Sequence, residues 1–323
     1  MLHLLEIEMR SVVCLTSFLG TTIAAYTSGH AEHQNGAPWG LARLSHQSWS
    51  YNNDGNTFYS NPNNAYYYHE VSGVVTVYML DTGVDVEHPE FEGRASWGKN
   101  FVTSHNIDDN GHGTHLAGIA IGKEHGVARN AHLVSVKVLN ANREGSVDDF
   151  SRAIDWVIDD YKSRGGKAVI NYSADGDISD FRANAVNRAI QNGIFVVNAA
   201  GNENQDACNY GPSNMGPNHT GLLAVAALNY TNAPGTFSNY GHCVDVYAPG
   251  VDIHSSLPSN RYGYMDGTSN AAAFVSGLVA YLWGQDSSMT MNDMMTAIRD
   301  GNHDAVIGGI SGTTGSVIYN YNS

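Results

Sequence analysis

The alternation of short apolar runs with longer segments of helical spacing constrains the fold of this chain more than any other feature. The apolar runs are Val74–Leu80, His132–Leu139, Ala168–Tyr172, Ile194–Ala199, Gly221–Ala227 and Cys243–Tyr247. The helical segments are Asp148–Tyr161, Phe181–Gln191 and Asn270–Gly284. Strands that are apolar throughout need cover on both faces of their sheet. The pattern therefore predicts an α/β fold, a doubly wound and mostly parallel sheet with helices on both faces.

The chain divides into a leader, residues 1–31, and one domain, residues 32–323. The leader contains a mostly apolar run, Ser11–Ala25, which follows a basic residue and ends in small residues. This is the layout of a secretory signal and is too short to span a bilayer; a propeptide remnant is the alternative. Within the domain we expect an irregular surface loop over 45–70 and edge strands over 313–321. No internal repeat or linker marks a second domain.

The charge of the chain excludes several classes of partner. There are 16 Lys and Arg residues against 31 Asp and Glu residues, for a formal net charge of −15. An excess of negative charge disfavours binding to nucleic-acid phosphates and to anionic membrane surfaces. We expect a monomer with no nucleic-acid partner and no membrane span.

Polar side chains follow two of the predicted strands, where a parallel sheet collects its chemistry. Asp81 directly follows a strand, and a buried carboxylate at that point can accept the Nδ1–H of a histidine. Asn202 follows another strand, where its side-chain amide can donate to a developing oxyanion. Taken alone, Asp81 is better explained as a residue that forms a turn or caps a helix.

His112 lies between two glycines, in the run Asn110-Gly-His-Gly-Thr-His115. The glycines allow close backbone packing and leave the ring accessible, and the small residues that follow predict a helix. Two histidines three residues apart also raise the alternative of a zinc site, but the His-Glu-x-x-His pattern is absent. We interpret His115 as a packed, hydrogen-bonded side chain.

Ser269 begins a segment that is apolar on nearly every side, which predicts a buried central helix. At the N-terminus of that helix, free N–H groups and the helix dipole favour developing negative charge. The position suits a nucleophile, although an N-cap serine is the alternative.

The combination of these residues is more specific than any one of them. The motifs Asp81-Thr-Gly, His112-Gly-Thr-His, Ala199-Ala-Gly-Asn202 and Gly267-Thr-Ser269 resemble the signature motifs of the subtilase family of serine proteases. Further segments are similar to the proteinase K and cerevisin branch of that family: Gly36–Ser45, Phe91–Ala95, Phe237–Gly241 and Ala199–Asn209.

The resemblance implies a serine endopeptidase with Asp81, His112 and Ser269 as its triad and Asn202 as an oxyanion donor. It also implies that two segments, Arg143–Val147 around Gly145 and the run Ser173, Ala174, Asp175 and Gly176, bind the substrate chain. Relatives suggest a disulfide between Cys208 and Cys243, with two free thiols as the alternative. No cofactor is required for the chemistry. Structural calcium is left open, because Asn229 stands where relatives place a calcium-binding Asp.

Four positions depart from the family pattern. Asn270 replaces the usual Met, Ala273 and Phe274 replace Pro-His, and Asp175 replaces a glycine beside the pocket for the residue that precedes the scissile bond. We expect Asp175 to shift the substrate preference towards small or basic side chains.

These departures also keep a second hypothesis open, a pseudoprotease that binds peptides without hydrolysing them. A nucleotide-binding α/β enzyme is disfavoured because no Gly-x-Gly-x-x-Gly or Walker pattern follows the first strand. The expected partners are polypeptide substrates, and the expected location is extracellular or vacuolar, reached through the secretory pathway.

Overall fold

A computed structural model of the chain describes residues 31–46, 49, 64–217, 219–300, 306 and 315–321. The leader prediction therefore falls almost entirely outside the described residues. The strands of the described part are β1 (Glu32–Asn35), β2 (Ala65–Tyr68), β3 (Val75–Asp81), β4 (Ala95–Asn100), β5 (His132–Lys137), β6 (Lys167–Tyr172), β7 (Phe195–Ala199), β8 (Leu222–Leu228), β9 (Val246–Pro249), β10 (Ile253–Leu257) and β11 (Arg261–Met265). The α-helices are α1 (Trp39–Leu44), α2 (His112–Ile121), α3 (Val147–Arg164), α4 (Asp180–Gln191), α5 (Thr268–Gln285) and α6 (Met291–Met295).

Seven strands form one parallel sheet in the order β4-β5-β3-β6-β7-β8-β9. Strand β3 lies between β5 and β6, and both pairings are parallel. The chain reaches one edge of the sheet through β4 and β5 and the other through β6 to β9, so the strand order reverses beside β3. This reversal opens a crevice at the carboxyl ends of the strands. Two antiparallel strand pairs, β1-β2 and the hairpin β10-β11, complete the sheet structure of the described residues.

Helices cover both faces of this sheet, as the apolar strands predict. Helices α1, α2 and α5 pack on one face of the sheet in a single large core, to which they contribute Trp39, Leu116 and Trp283, respectively. Helices α3 and α4 pack on the other face in a second core, around Phe150 and Val186. None of the helices in the described part of the chain is long and apolar enough to cross a bilayer.

The sequences of α3 and α5 explain their different burial. Ser146 caps α3 by accepting the N–H of Asp149 at 2.9 Å, and only one stripe of α3 is buried. Helix α5 has no side-chain cap, and its residues from Thr268 to Gly284 are all buried. It lies across the sheet beneath the surrounding helices, which explains why its sequence is apolar on every side.

The predicted strands agree with the structure closely, except for the last one. The run Cys243–Tyr247 was predicted as a strand, but β9 covers Val246–Pro249, because Cys243 and Val244 belong to a turn in which the Val244 N–H binds the Gly241 carbonyl. The prediction of an irregular loop over 45–70 is wrong near its end, because β2 pairs there with β1. Residues 47, 48 and 50–63 of this segment lie outside the described residues. Of the tail, Val317 forms a parallel bridge with Tyr247.

The disulfide prediction is confirmed. Cys208 and Cys243 are bonded, with their Cα atoms 5.2 Å apart, and they close a loop with a sequence separation of 35. The bond joins the segment after β7 to the segment before β9. It therefore ties these two connections to each other.

We expect the double variant Cys208→Ser, Cys243→Ser to lose about 3–4 kcal/mol of unfolding free energy, because an unfolded chain without the loop constraint has more entropy. Urea unfolding followed by circular dichroism measures this loss. The parent protein, reduced before unfolding, is the matched control and should behave like the variant. A loss below about 1 kcal/mol would contradict the prediction.

Candidate active site

Asp81 is the last residue of β3, and its side chain is completely buried. Its Oδ1 accepts two hydrogen bonds, one from the Thr82 backbone N–H at 2.7 Å and one from His112 Nδ1 at 2.8 Å. Because an ionised carboxylate only accepts hydrogen bonds, the proton of the neutral imidazole lies on Nδ1. His112 Nε2 therefore keeps a free lone pair and can act as a base.

A polar network holds the start of α2 against the end of β3. Asp108 Oδ1 accepts the Thr82 hydroxyl at 2.9 Å and the Gly111 N–H at 2.8 Å. Asp108 Oδ2 accepts the Thr114 N–H at 2.9 Å, and Thr82 Oγ1 in turn accepts the Gly113 N–H at 3.0 Å. These bonds fix the helix terminus that carries the histidine ring. The sequence reasoning did not identify Asp108, whose signal is only its place in a loop rich in Asp and Asn.

The glycine after His112 is required by close packing, as its motif predicts. A Cβ on Gly113 would lie 2.0 Å from the carbonyl oxygen of Gly83, which is far inside contact distance. Any side chain at this position would push α2 away from the end of β3. The hydrogen bond between Asp81 and His112 would lengthen as a result.

Lys137 is a second side chain that the sequence did not reveal. It ends β5, pairs in register with Asp81 and is completely buried. Its Nζ binds Asp109 Oδ1 at 2.7 Å and also the carbonyl oxygen of Thr82. Leaving the buried ammonium of Lys137 without its partner would be costly, so its ion pair with Asp109 holds the 108–112 loop over the strand ends. A lysine at the end of an otherwise apolar run is the only signal that could have indicated it.

Ser269 is the second residue of α5 and is only 7% exposed. Its neighbour Asn270 lies beside the ring of His115, one turn along α2 from His112. The N-termini of α2 and α5 thus lie side by side, which places Ser269 and His112 at the same crevice. In the described part of the chain, the Ser269 hydroxyl donates to the Ser173 carbonyl at 3.3 Å, and no hydrogen bond joins it to His112.

The His115 ring hydrogen-bonds to backbone carbonyls. Its Nε2 lies 3.0 Å from the Ile253 carbonyl oxygen and 3.2 Å from that of Gly263, so it must carry a proton. Burial lowers the pKa of His115 to about 4, which keeps the ring neutral at physiological pH. The described residues contain no cluster of three or more His, Cys, Asp or Glu side chains placed to hold a metal ion.

The Asn202 side chain has its orientation fixed by Thr268. Its Oδ1 accepts the Thr268 N–H at 2.9 Å and the Thr268 hydroxyl at 3.1 Å. Because the amide oxygen faces these donors, Nδ2 is the atom left to donate elsewhere. The same hydroxyl oxygen accepts the Gly201 N–H at 3.2 Å, so Thr268 positions both residues at the end of β7. Sequence reasoning included Thr268 only as part of a motif.

The expected substrate segments flank this crevice. The run Ser173–Gly176 leaves the end of β6, and the carbonyl of Gly176 already accepts the Gly211 N–H at 2.8 Å. Gly145 lies on an exposed segment beside the end of β5, close to the carbonyl of Val138. Asp175 is half-buried and turns towards Gly201.

The other departures from the family pattern are accommodated in the structure. Asn270 Nδ2 donates to the Met265 carbonyl at 2.9 Å, and Ala273 and Phe274 are buried in the core. At the possible calcium position, Asn229 Oδ1 accepts the Thr231 N–H at 2.9 Å within a local turn.

The sequence of the chain is similar to that of known proteins. The profile of the Subtilase family matches residues 72–315. Subtilisin-like protease 3 of Trichophyton tonsurans is 40% identical over 259 residues, which cover 79% of this chain and 61% of that relative. Subtilisin-like protease 10 of Arthroderma otae is 37% identical over 301 residues, which cover 92% of this chain and 71% of the relative. The chain thus spans about three fifths of the length of the first of these relatives.

A solved structure has the same architecture. The crystal structure of a cold-adapted subtilisin-like serine proteinase superposes with a TM-score of 0.77 and 32% sequence identity. The match covers 89% of this chain and all of that one.

The neutral state of His115 predicts a loss of stability in mild acid. The unfolded ring has a pKa near 6.5 and the folded ring about 4, so the unfolded chain binds more protons between these values. The contribution is fully present above pH 6.5 and is lost as the pH falls towards 4, by about 2–3 kcal/mol. Urea unfolding at pH 7.5 and 4.5 measures the loss.

The matched control for this prediction is His115→Gln, since an amide can donate to the same carbonyls and does not titrate. Its loss between the two pH values should be smaller than that of the parent by about 2 kcal/mol. Equal losses in the two proteins would show that His115 does not titrate on unfolding.

Proposed function

Because the chain belongs to the subtilase family, we propose that it is a serine endopeptidase that hydrolyses peptide bonds through Asp81, His112 and Ser269. The observation that carries the proposal is the 2.8 Å hydrogen bond from His112 Nδ1 to the buried Asp81 carboxylate. It leaves Nε2 free as a base at the crevice where Ser269 begins a buried helix. The 108–112 loop network and Lys137 support this arrangement.

The proposed reaction proceeds through an acyl-enzyme. The Ser269 hydroxyl rotates from the Ser173 carbonyl to His112 Nε2, which takes its proton as Oγ attacks the scissile carbonyl carbon. The imidazolium then gives that proton to the leaving amine, and Asp81 stabilises it throughout. A water molecule then attacks the acyl carbonyl carbon and gives its proton to His112 Nε2. His112 returns that proton to Ser269 Oγ as the acyl bond breaks, and the acid product leaves.

Two donors are available for the negative oxygen of the tetrahedral intermediate. Asn202 Nδ2 is directed away from Thr268 by the fixed amide orientation. The backbone N–H of Ser269, in the first turn of α5, has no partner within the helix. Together they form an oxyanion hole at a helix N-terminus, where the dipole adds to the stabilisation.

We further propose that the substrate chain lies extended between the segments at Gly145 and Ser173–Ala174, and binds by main-chain hydrogen bonds. The Cys208–Cys243 bond and the sequence pattern of the leader support entry into the secretory pathway, with an extracellular or vacuolar location. The protein acts as a monomer in this proposal.

A peptide-binding pseudoprotease is the second candidate. The observation that favours it is the hydrogen bond of the Ser269 hydroxyl to Ser173, which directs the hydroxyl away from the base. A fluorophosphonate probe separates the two functions, because it labels only a serine that its base can activate. Stoichiometric labelling of Ser269 supports the endopeptidase, and no labelling supports the pseudoprotease.

Replacing Ser269 or His112 by Ala should lower peptide turnover by several orders of magnitude without unfolding the protein, since each removes part of one catalytic unit. Casein hydrolysis and circular dichroism measure the two effects. Ser104→Ala, which changes an exposed loop serine, is the matched control and should keep full activity. A Ser269→Ala protein that digests casein like the parent would refute the triad.

Asn202→Leu should lower kcat by roughly 10²–10³ with little change in KM, because the lost donor acts mainly in the transition state. Steady-state kinetics with a chromogenic peptide separate the two constants. Asn130→Leu makes the same change at an exposed site that binds only the Val71 carbonyl, and should leave both constants unaltered. An effect confined to KM would remove Asn202 from the oxyanion hole.

A further inference from the structure

Two acidic side chains, Asp175 and Glu203, meet beside Gly201. A Cβ on Gly201 would lie 2.8 Å from Asp175 Oδ2 and 2.7 Å from Glu203 Oε2, so the two carboxyl groups share one small space against the glycine backbone. Asn239 Nδ2 donates to Glu203 Oε2 at 2.7 Å and fixes that carboxylate in place. Gly201 itself has a φ of +103°, which favours glycine and leaves room for both groups.

This carboxyl pair lies between the two chain segments that flank the reacting carbonyl. Asp175 is two residues from Ser173, whose carbonyl oxygen is 3.3 Å from Ser269 Oγ. Gly201 immediately precedes Asn202, the proposed oxyanion donor. In the proposed binding mode the substrate carbonyl lies between Ser269 and Asn202, and the side chain of the same residue enters the space between these segments. The pair stands in the wall of that space.

The groups around the pair leave it negatively charged. Arg182 is the cation nearest to Asp175, but its Nη1 donates to the carbonyls of Asp177 and Gly211, at 2.8 and 3.0 Å. Within the described residues, Arg182 forms no ion pair with a carboxylate. The remaining titratable neighbours, Tyr172 and Tyr210, are neutral at physiological pH.

The charge of the pair depends on pH in the neutral range. Burial, and then the negative charge of Glu203, raise the pKa of Asp175 to about 6, against a smaller lowering effect of Arg182. Below this value the pair holds one negative charge and one proton. Above it both carboxyl groups are ionised, and a cation brought between them replaces the missing proton.

We propose that Asp175 and Glu203 form a selectivity filter for the residue that precedes the scissile bond, which favours a lysine or arginine side chain over a large apolar one, and more strongly as pH rises. The proposal rests on the proposed function. A basic side chain pairs with the ionised carboxylates, whereas a large apolar one must displace Asp175 or strip water from it. The fraction of molecules in which both carboxyl groups are ionised rises about tenfold between pH 5 and 7, because the pKa of Asp175 is about 6. The preference for the basic substrate should rise by a similar factor.

The test compares two peptides that differ only in Lys or Leu before the cleaved bond. The ratio of their kcat/KM values cancels every pH effect on the chemistry that the two peptides share, and should rise about tenfold from pH 5 to 7 in the parent. Asp175→Asn should make the ratio lower and flat. Glu203→Gln removes the like charge, so the rise should move to lower pH. Asp177→Asn, an equal charge change at an exposed neighbour, is the matched control and should keep the parent profile.

A flat ratio in the parent, or the parent rise retained in Asp175→Asn, would overturn the proposal and leave the endopeptidase function standing. Should Asp175→Asn fail to fold, Asp175→Gly provides the second variant and should prefer Leu at both pH values. Binding of product-like peptides ending in Lys or Leu to Ser269→Ala tests the pair without turnover. If the parent cleaves neither peptide, the endopeptidase function fails, and a pH-dependent preference for Lys in binding still supports the carboxyl pair. If binding also shows no preference, both proposals are overturned.

Discussion

The parallel pairing of β3 with both β5 and β6 is the constraint on which the site depends. Parallel strands end at the same edge, so Asp81, Lys137 and Ser173 meet there although they are far apart in sequence. The pairing is possible because these strands are apolar on both faces and helices cover each face. The same packing brings α2 and α5, with His112 and Ser269 near their starts, onto one side of that edge. The packing of the core therefore also sets the geometry of the site.

The polar groups at this edge act through rigidity. The Asp81 carboxylate is completely buried and has one oxygen without a hydrogen-bond partner, which costs free energy. Asp108 fixes the surroundings of this carboxylate by joining Thr82, Gly111 and Thr114, and the ion pair of the buried Lys137 holds the same loop. Buried charge thus fixes the orientation of one imidazole, which the proposed mechanism uses as its base. The Ser269 hydroxyl, in contrast, is held by a single hydrogen bond to the Ser173 carbonyl.

Much of the fold and the main site could be predicted from the sequence, because each depends on local pattern. Apolar runs mark the buried strands, and the residues just after them, such as Asp81 and Asn202, fall at the sheet edge. Strands β1, β2, β4, β10 and β11 were missed because these short segments lack the Val-, Leu- and Ile-rich runs that mark the central strands. Asp108, Lys137 and the role of Thr268 were missed for a related reason. Their partners are set by tertiary contacts, and no spacing along the chain encodes them.

The carboxyl pair shows how a local substitution acquires meaning from its surroundings. From the sequence, Asp175 is one charge near a pocket, and water would screen it if the side chain turned outward. In the structure it turns inward and meets Glu203, while Nη1 of Arg182 donates to two backbone carbonyls. Two acids in one desolvated space cannot both ionise freely, so their charge becomes a function of pH. In the proposed endopeptidase, a pocket wall built this way would couple the choice of substrate to the acidity of the surrounding solution.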